Sequence, residues 1–221
     1  MTFLAMIGLS SKAELGRMFA EAAKLIRSQS EVLSRLDSEC GDGDHGTTMV
    51  RAMGILESAT GPSSKAQSLS EMLHEAGWNV MGVDGGASSA LLGSFIAGMG
   101  NASLGSELDC ASLAASLEAG LNVVEKRTKA RLGDKTMMDA LVPAVAAFGA
   151  AAGAGRTIGE AMNDAAAAAE AGAESTKDMV ARYGRARYLG DKTLGCPDPG
   201  ATSISLLFRG FSVALAITKK N

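Results

Sequence analysis

Apolar residues recur at helical spacing through almost the whole chain, and no stretch shows the strict apolar–polar alternation of a half-buried strand. This pattern limits the fold more than any other feature. Leu15, Met18, Phe19, Ala22 and Leu25 share one face of a helix over 11–36. Similar stretches cover 47–58, 68–81, 86–98, 109–126, 136–151, 158–181 and 201–219. Ser68, with Glu71 three residues on, reads as a capping box, and Asp109 is placed to cap the next-but-one helix. Aromatics are only 4% of residues, and alanine and glycine abound, which suits close helix packing. No Pro-, Ser- or charge-rich linker divides the sequence. The expectation is all-α: one domain over 1–221, an antiparallel, up-and-down array of about eight helices.

Helices joined by short loops alternate in direction, so every second loop emerges at the same end. The loops over 37–46, 82–86, 127–135 and 184–200 share one end, and they hold nearly all the chemically interesting residues. The loops over 61–64, 100–108 and 151–156 are bland. The sequence Leu-Gly-Asp-Lys-Thr occurs twice on the rich side, at 132–136 and 189–193. Similar geometry leading into a helix would explain the repeat; so would an Asp cap at each, or chance.

Asp37, Asp42 and Asp44 crowd into the first rich loop among Gly41, Gly43 and Gly46. Carboxylates packed so tightly repel unless a cation neutralises them, and hard oxygen donors suit Mg²⁺ or Ca²⁺ rather than zinc. The glycines let the backbone fold the acids inward. An EF-hand is excluded, because its sixth and twelfth positions fall on Thr47 and Met53. The other reading of the loop is a polar turn with an Asp cap. His45, Gly46, Thr47 and Thr48 then open a helix whose free N–H groups favour phosphate. His74, within the third helix, reads as structural.

Gly82, Val83 and Asp84 to Ser89 open the fourth helix, where small residues permit close approach of an anion; a glycine turn with tight helix packing explains them equally. No GxxxxGK[ST] sequence exists and no strand precedes these glycines, so a P-loop or Rossmann site is excluded. Met137 can pack on a purine or serve as core. Arg185 and Arg187 can neutralise phosphate charge or form surface ion pairs. With 21 basic and 24 acidic residues the formal charge is −3, which argues against a nucleic-acid partner. Three cysteines without a CxxC pair read as free thiols in a reducing compartment. The apolar start at 1–9 lacks a basic region and a cleavage site, and no run reaches the roughly 18 uncharged apolar residues of a membrane span. A soluble, cytoplasmic protein with no membrane partner is expected.

Together the motifs resemble those of the nucleotide-binding L subunit, or L domain, of dihydroxyacetone kinases. The matching elements are Asp37-x4-Asp42-Gly43-Asp44-His45-Gly46, Gly85-Gly86-Ala87-Ser88, Gly133-Asp134-Lys135-Thr136-Met137, Gly184-Arg185-Ala186-x-Tyr188-Leu189-Gly190 and Asp198-Pro199-Gly200-Ala201-Thr202, in the family's order. The resemblance implies a barrel of eight antiparallel amphipathic helices with the nucleotide at one rim. It implies that Asp37, Asp42 and Asp44 hold two Mg²⁺ ions. His45, Gly46, Thr47, Thr48, Gly82, Val83, Gly86, Ala87, Ser88, Thr128, Met137, Arg185, Asp198, Pro199 and Gly200 would line the ADP or ATP site. Arg185 would act on the transferred phosphoryl group. This chain departs from some relatives at Gly82-Val83, where they carry a Ser-Ser pair, and at Thr128, where they carry glycine. At the first, hydroxyl contacts to phosphate are lost and backbone N–H groups are expected to serve instead.

The resemblance further implies that the ketose binds on a separate K subunit and that this chain presents the phosphoryl group across their interface. Some such subunits use exchangeable ATP; others keep ADP bound and are rephosphorylated by a phosphotransferase-system M protein. A chain of this length favours the second type, whereas Gly43 leans toward the first. The acceptor can equally be another short ketose, such as a tetrulose. A homodimer is a further option. The alternatives are a nucleotide-dependent module that docks a regulator, and a metal-dependent phosphohydrolase, which lacks a residue clearly placed to activate water.

Overall fold

The computed structural model describes residues 11–84, 86–105 and 108–217. Among these residues the chain is helical, with no strand. The α-helices are α1 (Ser11–Ser28), α2 (Ser30–Ser38), α3 (His45–Thr60), α4 (Leu69–Met81), α5 (Gly86–Met99), α6 (Cys110–Arg127), α7 (Met138–Gly153), α8 (Ile158–Ser175) and α9 (Pro199–Ile217). Short 3₁₀ turns occupy Thr176–Asp178 and Ala186–Thr193.

The helices pack as a closed ring. Each of α3 to α9 contacts its neighbour in sequence, and α1 closes the circle by packing on both α9 and α3. Counting α1 and α2 as one broken helix, this is the expected eight-helix up-and-down barrel. Phe19, Phe95, Phe148, Phe208 and Phe211 are fully buried in its core, and Phe19 meets Phe211 edge to face at 5.2 Å. Small residues set the wall spacing elsewhere. A Cβ on Gly77 of α4 would lie 2.4 Å from the Gly93 carbonyl of α5, and one on Gly210 of α9 would lie 2.3 Å from the Ala22 Cα of α1. Pro143 removes an N–H from inside α7. The carbonyl it would have bonded, that of Asp139, lies against Gly172 of α8, where an added Cβ would come within 2.0 Å of it.

Several expected boundaries shift for identifiable reasons. The first helix breaks at Gln29 (φ −110°, ψ 9°), which lets α2 turn onto α3 and α9. Ser68 caps α4 by accepting from Glu71 N, but the Glu71 carboxylate bonds Gln67 N rather than closing the box on Ser68. Asp109 forms a reciprocal cap with Ser112. The sixth expected helix begins at Met138 rather than 136, because the Asp139 carboxylate holds Gly133 N and Thr136 N in a non-helical turn. The alanine-rich α8 stops at Ser175, not 181, where Thr176 leaves the helix and its carbonyl is taken by Lys135 Nζ. The last helix starts at Pro199; its expected end at Lys219, the apolar start at 1–9, and Gly85 lie outside the described residues. No described helix is long and apolar enough to cross a membrane.

Candidate nucleotide and metal site

The loops α2–α3, α6–α7 and α8–α9, with the first turn of α5, enclose a cleft of about 590 Å³ at one end of the barrel. Three of the four rich loops anticipated from the sequence supply lining residues, and in place of the fourth the start of α5 does so.

On one side stand Asp37, at the end of α2, and Asp42 and Asp44, in the following turn. One carboxylate oxygen from each lies within 4.8 Å of the others. The turn is built for this convergence. Cys40 N and Gly41 N both donate to the Asp37 carbonyl. The Asp37 carboxylate rests where a Cβ on Gly41 would be, 2.3 Å away, and Gly43 adopts φ 77°, which favours glycine. Asp37 Oδ2 also accepts from His45 N at 3.3 Å, at the N-terminus of α3.

Electrostatics mark the crowding. The Asp44 carboxyl is pushed above its ordinary range by burial, then by the charges of Asp42 and Asp37. The Asp42 carboxyl is held below its ordinary range, chiefly by a hydrogen bond from Arg185. Arg185 Nη1 and Asp42 Oδ2 form an ion pair across the cleft mouth. Three oxygen donors converging beside a guanidinium that already neutralises one of them fit a hard divalent cation such as Mg²⁺.

The first turn of α5 also places Gly86, Ala87 and Ser88 on the cleft, where the initial N–H groups of a helix lack intrahelical acceptors. Thr128, Met137, Asp198, Pro199 and Gly200 complete the expected lining. Met137 is almost buried and packs beside Gly200, where an added Cβ would sit 3.5 Å from that of Met137. Asp198 caps α9, with Oδ2 accepting from Ala201 N at 2.7 Å, and burial pushes its carboxyl up to about 7.

Five expected nucleotide residues stand apart from the cleft lining. Gly82 N bonds carbonyls of Asn79 and Val80, and Val83 N bonds that of Val80, so both expected phosphate donors are spent finishing α4. The Val83 carbonyl accepts from Ser89 Oγ at 2.8 Å. Gly46 is a packing residue, since a Cβ there would lie 1.9 Å from the Ser30 carbonyl of α2. Thr48 is buried and Thr47 is exposed. His45 does reach the cleft, but its imidazole is buried with Nε2 3.2 Å from Ser203 Oγ, and burial lowers its basicity.

The structure also brings in residues to which the motifs assigned no site role. Tyr183 and Tyr188, the chain's two tyrosines, both line the cleft. The Arg187 guanidinium lies 4.5 Å from the Tyr188 ring centre. Two tyrosines in one loop of an aromatic-poor chain was the available signal. Lys135 is enclosed and bonds two backbone carbonyls. The repeated pentapeptide does not repeat a geometry: the first copy lies just before α7, whereas the second lies within the kinked 3₁₀ segment Ala186–Thr193, with the kink at its Gly190.

Comparison with known proteins agrees with this geometry. A family model for the DAK2 domain matches residues 39–213. The chain is 35% identical to the ADP-binding subunit DhaL of the PEP-dependent dihydroxyacetone kinase 1 of Listeria innocua, over 87% of this chain and 91% of the relative. It is 32% identical to the corresponding subunit of Escherichia coli K12, over 92% of this chain and 97% of the relative. The crystal structure of the dihydroxyacetone kinase from C. freundii in complex with AMP-PNP and Mg²⁺ superposes with a TM-score of 0.71 at 25% identity, covering 96% of this chain but 36% of that larger chain. With the profile match spanning most of its length and its cleft built from the expected loops, this chain belongs to the DAK2-domain family, with the DhaL subunits of dihydroxyacetone kinases.

Proposed function

We infer that the chain, as a single nucleotide-binding domain, is the phosphoryl-presenting subunit of a cytoplasmic short-ketose kinase. The observation that carries this reading is the convergence of Asp37, Asp42 and Asp44 on a cleft also lined by the N-terminus of α5, with Arg185 paired to Asp42. Mg²⁺ on the three carboxylates would neutralise phosphate oxygens of ADP or ATP. The protein's own part is positioning and charge. The α5 N–H groups with Ser88 hold the phosphate tail. Met137, Thr128 and the Asp198–Gly200 segment enclose the rest of the nucleotide. Arg185, freed from Asp42, turns to the transferred group, where a guanidinium can stabilise spread negative charge.

A hydrolase acting alone is less well supported. His45, the one imidazole on the cleft, is buried against Ser203 rather than placed to activate water. The ketose therefore comes from outside, on a K subunit, and the exposed Tyr188, Leu189 and Leu132 on the same rim suit a docking partner. Relatives named as PEP-dependent favour a phosphotransferase-system donor with bound ADP. The test is reconstitution with a ketose-binding K subunit and dihydroxyacetone, supplying either ATP or PEP with the phosphotransferase proteins including M. Turnover with the PEP relay and not with ATP supports the reading. Turnover with ATP alone reassigns the donor, and ketose-independent phosphate release by this chain overturns it.

A further inference from the structure

Lys135 is 4% exposed, and its backbone sits at φ 58°, a left-handed conformation unfavourable for any residue with a Cβ. Enclosing an ammonium and straining its backbone both oppose folding, and such positions persist where the surroundings hold them for a purpose. Its contacts show what that purpose is. Nζ donates to the carbonyls of Thr176, at 2.6 Å, and Cys196, at 2.5 Å. These lie near the two ends of the long α8–α9 connection. Thr176 Oγ1 in turn accepts from Asp198 N at 2.8 Å. Lys135 itself stands two residues before Met137, in a turn held from behind by the Asp139 carboxylate. One side chain thus ties the cleft wall bearing Met137 to the wall bearing Asp198, Pro199 and Gly200.

We propose that Lys135 is a positioning residue that holds these two walls at the spacing a bound nucleotide fills, without touching the phosphates itself. Lys135 lines the cleft, but it is only 4% exposed and two of its three N–H donors are committed to wall carbonyls, which favours a wall tie over a phosphate contact. The second copy of the pentapeptide supplies the contrast. Lys192 is exposed, so the motif alone does not bury a lysine, and the tie is particular to the first copy. The proposal rests on the nucleotide reading above.

The test uses the full chain with Mg·ADP, Mn²⁺ alone, and amide hydrogen exchange without ligand. Lys135→Met keeps the length and removes the donors. It should weaken Mg·ADP binding at least tenfold, leave Mn²⁺ affinity within twofold, and speed exchange across 176–198 at least tenfold. Lys135→Arg, which keeps donors, should recover part of the lost affinity. Thr176→Val removes the acceptor for Asp198 N without altering charge, and should weaken Mg·ADP in the same direction even if the methionine variant fails to fold. Mg·ADP affinity within twofold of the parent in the folded variants overturns the proposal, as does a parallel loss of Mn²⁺ affinity, which would mark general loosening. If the parent binds no Mg·ADP, the nucleotide reading fails on its own; exchange then decides the tie, and unchanged exchange across 176–198 overturns it.

Discussion

Arg185 reaches across the cleft mouth to Asp42, so that a guanidinium pairs with one of the three carboxylates that converge as a divalent cation would need. On the proposed function, arginine and metal compete for Asp42 although both would serve the bound nucleotide. Arg185→Ala should bind Mn²⁺ alone as tightly as the parent or up to about fivefold more tightly, the worth of one exposed ion pair. The same variant should bind Mg·ADP about 10- to 100-fold more weakly, the worth of a charged hydrogen bond to phosphate. Calorimetric titration of both ligands checks the pair. Losses of equal size for both would show Arg185 acting only through the fold.

Asp42→Ala should remove a metal ligand without disturbing the helices, because Asp42 is exposed and lies in a turn. Mn²⁺ affinity should fall at least about tenfold while helical circular dichroism stays unchanged. An unaltered Mn²⁺ titration would remove the metal assignment.

Gly46 illustrates how a motif residue can serve the scaffold. Gly46→Ala would drive a Cβ into the Ser30 carbonyl, so α2 and α3 must part. A stability loss of about 1–3 kcal/mol is expected from such overpacking, read by urea denaturation. A neutral result would show that the α2–α3 contact yields freely.

Asp198 makes stability depend on pH with a definite sign. Its carboxyl is raised from 3.8 in the unfolded chain to about 7, chiefly by burial. Between these values the folded form holds a proton that the unfolded form has lost, so stability falls as pH rises through this window. The contribution is fully present below about pH 4 and gone above about 7. Asp198→Asn mimics the protonated side chain and should flatten the slope relative to the parent. Denaturation midpoints from pH 4 to 8 in chelator provide the comparison.

Much of this was legible from residue order alone. The helical spacing gave the class, and the alternation of rich and bland loops located the site end, because both depend on local periodicity and chain direction. Closure of the ring was not legible that way: periodicity shows that Leu15 or Phe208 faces a core, not that α1 lies between α3 and α9. Three details of the site depend on tertiary contacts that motifs do not encode. Val83 N is consumed by Val80 O, Gly46 by the approach of α2, and the early end of α8 coincides with Lys135 taking Thr176 O. Burial of Lys135 was hidden because its pentapeptide twin leaves Lys192 exposed.

The most direct test is equilibrium binding of ADP to the purified chain, first with Mg²⁺ and then with excess chelator. Saturable one-to-one binding that chelator abolishes, and that Asp42→Ala lacks, is the expected result. Equal ADP binding in chelator, or none in either condition, would contradict a metal-held nucleotide at the barrel rim.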